Sequence, residues 1–247
     1  MTVSFDRVAT IYDATRWAGV PAEIMRKTLE AMVSTLESCK TVLDVGIGTG
    51  RWAEYLQTLG FSVVGIDVSL PMMAQARSKG VKDIVRADVR QLPFRDSSFD
   101  ASVMIHVLHL MDNWVKAVHE VGRVTRKILI SEAGRAEGFS PREAYLEQRT
   151  KLGYPLNRLN DAEYGLRSHI RPKIIVATGD YWAEFDADEE IDSFESRKSS
   201  VMWDMPDEIH RKIMQTLHSD YGGKRLRRHE FTEVVGWDPA DLRGYLS

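Results

Sequence analysis

Between residues 41 and 131 of this 247-residue chain, short apolar runs alternate strictly with segments of helical period. Most of the runs end at a glycine or an aspartate, as buried parallel strands do before a turn. The predicted strands are 41–45, 61–66, 84–85, 99–107 and 128–130, and the predicted helices are 22–38, 51–59, 71–79 and 113–121, with Ser69 and Asp112 as caps. This order predicts an α/β fold with a parallel sheet, right-handed crossovers and helices on both faces.

The remainder of the chain is less regular. Ser140, Pro141 and Glu143 predict a capping box that opens a helix to about residue 152. Residues 173–178 fit either a helix or a strand. A strand is predicted at 181–185, a helix at 206–217 and a final strand at 226–235. No repeat or linker is evident, which favours a single domain.

Composition excludes several classes of protein. Lys and Arg total 33 against 36 Asp and Glu, so the net charge is −3 and a dedicated nucleic-acid or anionic-membrane binder is not expected. Cys39 is the single cysteine, which excludes an internal disulfide and a thiolate zinc site. No apolar run is long enough to span a bilayer, and the first residues do not resemble a signal peptide. We therefore expect a cytoplasmic protein.

A glycine-rich turn follows the first predicted strand, from Asp44 to Gly50. A dinucleotide fingerprint would need a third glycine where Arg51 stands, and a P-loop would need Gly-Lys-Ser/Thr. The turn therefore predicts a site for a flat, uncharged or zwitterionic group. Asp67 ends the second strand, where a carboxylate can accept both ribose hydroxyls, and Asp88 ends the third, near the expected adenine. Together they indicate a nucleoside site.

Four motifs in this order, VLDVGIGTGRW, GIDVS, RADVRQLPF and FDASVMIHVLHL, resemble those of class I S-adenosylmethionine-dependent methyltransferases. The resemblance covers about residues 40–131 and is greatest to the small-molecule branch, whose N-terminal element is matched by Phe5, Tyr12, Asp13 and Arg16. It implies a Rossmann-like, seven-stranded, mostly parallel sheet with a helical cover inserted after strand five. The implied parts of one methyltransferase domain are a cap and first helix at 1–39, a cofactor core at 40–131, an acceptor-side cover at 132–222 and a final strand and tail at 223–247.

The resemblance also implies a role for individual residues in binding S-adenosyl-L-methionine, whose product is S-adenosyl-L-homocysteine. The methionine part would lie on the glycine turn, the ribose on Asp67 with Val68 beside it, and the adenine on Asp88 and Val89. His106 would contact the amino group through its backbone, and Tyr12 and Arg16 would close over the carboxylate. The glycines concerned are Gly46, Gly48 and Gly50. Asp44 either joins this site or only supports the turn.

The methyl acceptor is predicted to be a small or medium-sized molecule, reached by in-line displacement. No Asn/Asp-Pro-Pro-Tyr/Phe turn follows strand four, which disfavours methylation of exocyclic or amide nitrogen, and no cysteine lies there, which excludes cytosine-5 methylation. His106 and His109 are the candidate proton acceptors. Arg197 and Ser200 are candidate substrate contacts, although a helix-ending cap network explains them equally well.

Two alternatives stay open at this point: an RNA-directed enzyme that uses the basic run 224–229, and a protein that binds S-adenosylmethionine without catalysis. No metal site is expected, because the spacing of His106, His109 and Asp112 is common by chance. The sequence leaves the acceptor, the accepting atom and the oligomeric state undetermined.

Overall fold

Seven strands form the sheet in the described part of the chain, in the order β3-β2-β1-β4-β5-β7-β6. The computed structural model describes residues 5–16, 20–111, 113–138, 140–155, 162–197 and 199–244. The four pairings among the first five strands are parallel, and the predicted Rossmann-like, mostly parallel fold is confirmed. The strands are β1 Thr41–Val45, β2 Ser62–Asp67, β3 Ile84–Arg86, β4 Phe99–Met104, β5 Thr125–Gly138, β6 Ile174–Asp186 and β7 Arg225–Trp237.

Helices connect these strands and follow the predicted alternation. Ser69 caps α4, since its hydroxyl accepts the Met72 amide, and the capping box of Ser140 and Glu143 opens α6. The helices are α1 Tyr12–Arg16, α2 Ala22–Thr35, α3 Arg51–Thr58, α4 Leu70–Ser78, α5 Trp114–Val124, α6 Pro141–Lys151, α7 Ala162–His169, α8 Ala187–Glu195, α9 Asp207–Tyr221 and α10 Pro239–Gly244.

Several predicted boundaries are wrong. Strand four ends at Met104, not at residue 107, because His106 has a left-handed backbone with φ of 56° that a strand does not accommodate. Helix α5 is capped by Asn113, whose side chain accepts the Lys116 amide. The predicted cap, Asp112, lies outside the described residues. Strand five is 14 residues long, and residues 173–178 contribute to the strand β6 rather than to a helix.

The two faces of the sheet bury separate apolar cores, as alternation along a strand requires. Leu43 and Val45 of β1 face a core that includes residues of α5, α7 and α10. Val42 faces the opposite core, with residues of α2, α3 and α4. Helices on both faces leave the carboxyl ends of the strands as the place where a ligand can enter.

The chain divides into two compact units. The larger unit comprises residues 1–133, 159–179 and 232–247, and the smaller unit comprises 134–158 and 180–231. The smaller unit has its own core, built from residues of α6, α8 and α9 and from the turn Ser200–Met202. The prediction of one domain and its internal boundaries stays a prediction. Within the described ranges, no helix combines the length and the apolar character that crossing a membrane requires.

Candidate functional site

The glycine turn between β1 and α3 has the backbone that its sequence predicts. Gly46, Gly48 and Gly50 all have positive φ, at 68°, 55° and 79°. A Cβ atom on Gly46 would lie 2.6 Å from a Val107 methyl carbon, and one on Gly50 would lie 2.7 Å from the Ala76 Cβ. Glycine is therefore required at both positions, at Gly46 by the segment after β4 and at Gly50 by α4.

Asp67 joins the end of β2 to this turn. One carboxylate oxygen accepts the Gly48 amide at 2.9 Å, and the other accepts the Ser69 amide at 2.8 Å. Burial raises the pKa of Asp67 above its usual value, although these backbone hydrogen bonds act in the opposite direction. Each oxygen has a second lone pair, so the carboxylate can hold the turn and still accept ribose hydroxyls.

Asp88, predicted to bind adenine, forms a two-pronged ion pair with Arg90. The Nη2 of Arg90 lies 2.6 Å from Oδ2, its Nε lies 3.0 Å from Oδ1, and the Arg90 amide also donates to Oδ1 at 2.9 Å. These hydrogen bonds lower the pKa of Asp88, with the Arg90 side chain as the largest cause. The carboxylate is thus ionised and held in a fixed orientation.

The N-terminal segment, residues 5–16, contacts the carboxyl ends of the strands, where the glycine turn and Asp67 also lie. The Ser69 hydroxyl donates to Asp6 at 2.5 Å. Further along, Asp13 accepts the Thr49 hydroxyl at 2.6 Å and pairs with the Lys79 ammonium at 2.5 Å. The segment is therefore tied to the glycine turn, to the end of β2 and to the C-terminal end of α4. The side chain of Arg16 lies outside the described residues.

These parts surround a pocket at the carboxyl ends of the strands. Its lining includes most of the predicted cofactor residues and two rings of the N-terminal segment, Phe5 and Tyr12, which meet edge to face at 5.7 Å. The predicted residues that line it are Tyr12, Gly46, Gly48, Asp67, Val68, Asp88, Val89 and His106. Gly50, His109, Arg197 and Ser200 do not line it.

Asp44 lies within the protein rather than along the pocket. Its residue is 3% exposed, and its Oδ2 has no hydrogen-bond partner among the described residues. Burial, with the nearby charge of Asp67, raises the pKa of Asp44 to about 7. Asp44 is therefore a buried acid beside the carboxylate of Asp67, and it supports the glycine turn from within the protein.

The two candidate histidines differ in position. His106 lines the pocket, and its Nε2 lies 3.7 Å from Oε2 of Glu132 on β5. His109 is exposed, and its ring centre is 6.5 Å from that of His106. The structure thus brings His106, but not His109, to the pocket. Among the described residues, no group of three or more His, Cys, Asp and Glu side chains could hold a metal ion.

In the smaller unit, the two candidate substrate contacts form local hydrogen bonds. The Arg197 guanidinium donates to the Met205 carbonyl at 2.9 Å and to Asp207 at 2.8 Å, and the Trp203 indole donates to the Arg197 carbonyl at 2.7 Å. Ser200 begins a short helical turn, where its carbonyl accepts the Trp203 amide at 3.3 Å. This arrangement fits the cap network that was the alternative interpretation.

Residues 225–229 of the basic run lie within β7, where the sequence predicts a strand. Arg228 pairs with Glu230, His229 contacts Asp180, and Arg227 lies over the ring of Trp182 at 4.5 Å. These three side chains have acidic or aromatic neighbours within the smaller unit, which reduces the positive field that a phosphate backbone would meet.

Sequence reasoning did not assign several residues of the site. Five apolar residues that follow β2 or β4 also line the pocket: Met72, Ile105, Val107, Leu110 and Met111. Their position after these strands is the sequence feature that could have indicated a role in the site. Asp6, Lys79 and Glu132 are partners formed by tertiary contact, and Arg90 pairs with Asp88 two positions earlier in the chain. No local pattern marks them, because each acts through a residue distant in sequence or through a side-chain orientation.

Comparison with known proteins agrees with this geometry. Residues 43–128 match a family described as a methyltransferase domain. A phosphatidylethanolamine N-methyltransferase of Cereibacter sphaeroides is 31% identical over 153 residues, which are 55% of this chain and 73% of that protein. An uncharacterised Methanocaldococcus jannaschii protein, MJ1123, is 29% identical over 74% of this chain and 87% of its own length.

Other curated relatives are matched over about half of their length, 49% and 47% for two malonyl-[acyl-carrier protein] O-methyltransferases. Among solved structures, the YcgJ protein of Bacillus subtilis superposes with a TM-score of 0.53 at 18% identity, covering 85% of this chain and 97% of that one. At this identity, the structural likeness concerns the fold alone.

Proposed function

Because the chain belongs to the class I S-adenosylmethionine-dependent methyltransferases, we propose that it transfers the methyl group to a small or medium-sized molecule by in-line displacement. S-adenosylmethionine supplies a methyl group already activated on a sulfonium. The residues of this chain therefore act by binding, by orientation and by exclusion of water.

Each part of the pocket has a place in this proposal. The glycine turn would lie against the methionine part, Asp67 and Val68 would hold the ribose, and Asp88 with Val89 would bind the adenine. Phe5 and Tyr12 would cover the site against water. The single observation that supports the proposal is the pocket lining, which unites the glycine turn, both carboxylates and the segment after β4.

No specific observation favours the two alternatives. Among the described residues, Arg227, Arg228 and His229 of the basic run have aromatic or acidic partners, which is a weak basis for RNA binding. Turnover separates an enzyme from a protein that binds S-adenosylmethionine without catalysis. We also propose that the protein is cytoplasmic, a hypothesis supported by its single cysteine.

The test is turnover with S-adenosylmethionine against two acceptor pools, a deproteinised small-molecule extract of the source cells and total RNA from the same cells. We expect S-adenosylhomocysteine to form with the first pool and not with the second. With a chiral, isotopically labelled methyl group, in-line displacement predicts inversion of configuration in the product. Turnover with RNA alone would contradict the small-molecule acceptor, and binding without turnover in either pool would contradict catalysis.

A further inference from the structure

His106 has an unusual backbone for its place beside the pocket. It follows β4, has a φ of 56° and lines the cavity with its side chain about one-third exposed. A left-handed conformation is uncommon outside glycine, although histidine adopts it more often than most residues. Such conformations cluster at ligand sites, which makes this histidine a candidate for a functional role.

Glu132 lies next to His106 on the neighbouring strand. Val103 of β4 is paired with Ile130 of β5 in parallel register, so both strands carry their next residues toward the same edge of the sheet. The Glu132 side chain is 12% exposed, and its Oε2 lies 3.7 Å from Nε2 of His106. His106 thus lines the cavity with a partly exposed imidazole, while the carboxylate of Glu132 is largely buried beside it.

We propose that His106 removes the proton from a hydroxyl group of the methyl acceptor, a phenol or an enol, and that Glu132 is its positioning residue. This inference rests on the proposed methyl transfer. The acceptor oxygen forms a bond to the methyl carbon while the carbon–sulfur bond breaks, and the sulfur keeps the electron pair as a thioether. The hydroxyl proton passes to the imidazole, and the carboxylate of Glu132 stabilises the imidazolium that results.

A hydroxyl group needs a base in order to accept a methyl group, whereas an amine does not. A neutral amine attacks with its own lone pair and can lose its proton to water after transfer. A neutral hydroxyl is a weak nucleophile, and methylation without deprotonation would produce an oxonium ion. A base held at the cavity is therefore needed for a hydroxyl acceptor and dispensable for an amine.

Acidic groups surround His106 in the described part of the chain. Glu132 lies 3.7 Å from the imidazole, and Asp67, Asp88 and Tyr12 share the cavity lining, with Asp88 paired to Arg90. His109 lies on the adjacent turn. The Glu132 carboxylate is therefore the group placed to stabilise an imidazolium at this position.

The first test requires no acceptor. Imidazole resonances of the seven histidines are followed by NMR against pH in the complex with S-adenosylhomocysteine, and His106→Asn identifies the signal, because asparagine tolerates a left-handed backbone. In Glu132→Gln the titration midpoint of His106 is expected about one pH unit lower. Glu137→Gln, the same change at an exposed position of β5, is expected to leave it unmoved. An unmoved midpoint in Glu132→Gln overturns the pairing.

The second test identifies the accepting atom. The enzyme is incubated with S-adenosylmethionine labelled with ¹³C in its methyl group and with the small-molecule extract, and ¹³C NMR reports whether the label is bound to oxygen, nitrogen or sulfur. We expect oxygen, a loss of turnover of about 10²–10⁴-fold in His106→Asn, and more than about tenfold in Glu132→Gln. The KM for S-adenosylmethionine should be unchanged, and the acidic limb of the rate profile of Glu132→Gln should move to lower pH.

Each other outcome contradicts a different statement. Label on nitrogen or sulfur overturns the hydroxyl acceptor and leaves the proposed methyl transfer intact. Loss of turnover in His109→Asn but not in His106→Asn overturns the assignment of the base. No labelled product from any extract contradicts the proposed function itself, and with it this inference.

Discussion

At the scale of single residues, the Asp67 carboxylate has one structural role and one proposed binding role. It holds the Gly48 amide of the glycine turn and the Ser69 amide after β2, and in our proposal it also accepts the ribose hydroxyls. The sequence predicts the binding role from the position of the residue at the end of a strand. The hydrogen bond from Gly48 to Asp67 could not be predicted from the sequence, because it forms only when the fold brings the turn and the strand end together.

We expect Asp67→Ala to weaken the binding of S-adenosylhomocysteine by about 1.5–3 kcal/mol, the usual contribution of hydrogen bonds to a charged group. Isothermal titration calorimetry measures this, with circular dichroism to confirm folding. Asp83→Ala, the same change at an exposed position, is the control. An unchanged dissociation constant in folded Asp67→Ala would assign this carboxylate to the support of the turn alone.

Asp44 gives a prediction on pH. Its pKa is raised to about 7, so the folded protein binds a proton that the unfolded chain releases at about pH 4. The stabilisation from this group is complete below pH 4 and is lost as the pH rises through 7. Asp44→Asn retains a carbonyl oxygen and has no charge to bury.

In the absence of ligand, Asp44→Asn is therefore expected to be more stable than the wild type at pH 8, by at most about 4 kcal/mol, and equal to it near pH 4. Urea denaturation at both pH values measures the difference. Asp96→Asn, at an exposed side chain, should show no such change. An Asp44→Asn variant that is less stable than the wild type at pH 8 would mean that the ionised carboxylate has a favourable partner.

At the scale of elements, the N-terminal segment contributes to the site through its polar contacts. It lies outside the alternating core, and Asp13 connects it to Thr49 of the glycine turn and to Lys79. Phe5 and Tyr12 of this segment line the pocket. A ligand in the pocket would add contacts to the segment, so its order should depend on binding.

Hydrogen exchange of residues 5–16 is expected to slow when S-adenosylhomocysteine binds. In Asp13→Asn the ion pair to Lys79 is lost, so exchange should be faster than in the wild type, both with and without the ligand. Asp96→Asn provides the control with the same substitution. Equal protection of the wild-type segment in both states would show that it is permanently packed, and Tyr12 would lose its assigned role as a ligand-dependent cover.

At the scale of the whole molecule, all the residues that line the pocket belong to the larger unit. In this unit, an apolar core packs against each face of the sheet. A ligand that binds only the native state raises the free energy of unfolding by RT ln(1 + [L]/Kd), about 2.7 kcal/mol at 100 times Kd.

We expect S-adenosylhomocysteine to raise the melting temperature accordingly and NAD to have no effect, because Arg51 stands where the dinucleotide fingerprint requires glycine. Differential scanning calorimetry with each ligand measures this. Stabilisation by NAD and not by S-adenosylhomocysteine would contradict the interpretation of the glycine turn.

The local pattern of the sequence determined the parallel core, the glycine turn and the carboxylates at the strand ends. These features follow from alternation, from the conformational freedom of glycine and from the position of a residue in its own element, which are properties of adjacent residues. The cap of Ser69 and the capping box of Ser140 were predictable for the same reason.

Only the tertiary structure decided which side chains meet. The pairing of Asp13 with Lys79 and that of His106 with Glu132 join residues 66 and 26 positions apart, and neither pairing has a local signal. The strand at 173–178 was ambiguous because its apolar period fits two structures, and pairing in the sheet selected one. Local propensity constrains each element, whereas contacts between distant elements depend on how the whole chain packs. Only the folded protein therefore shows that His106, and not His109, lines the pocket.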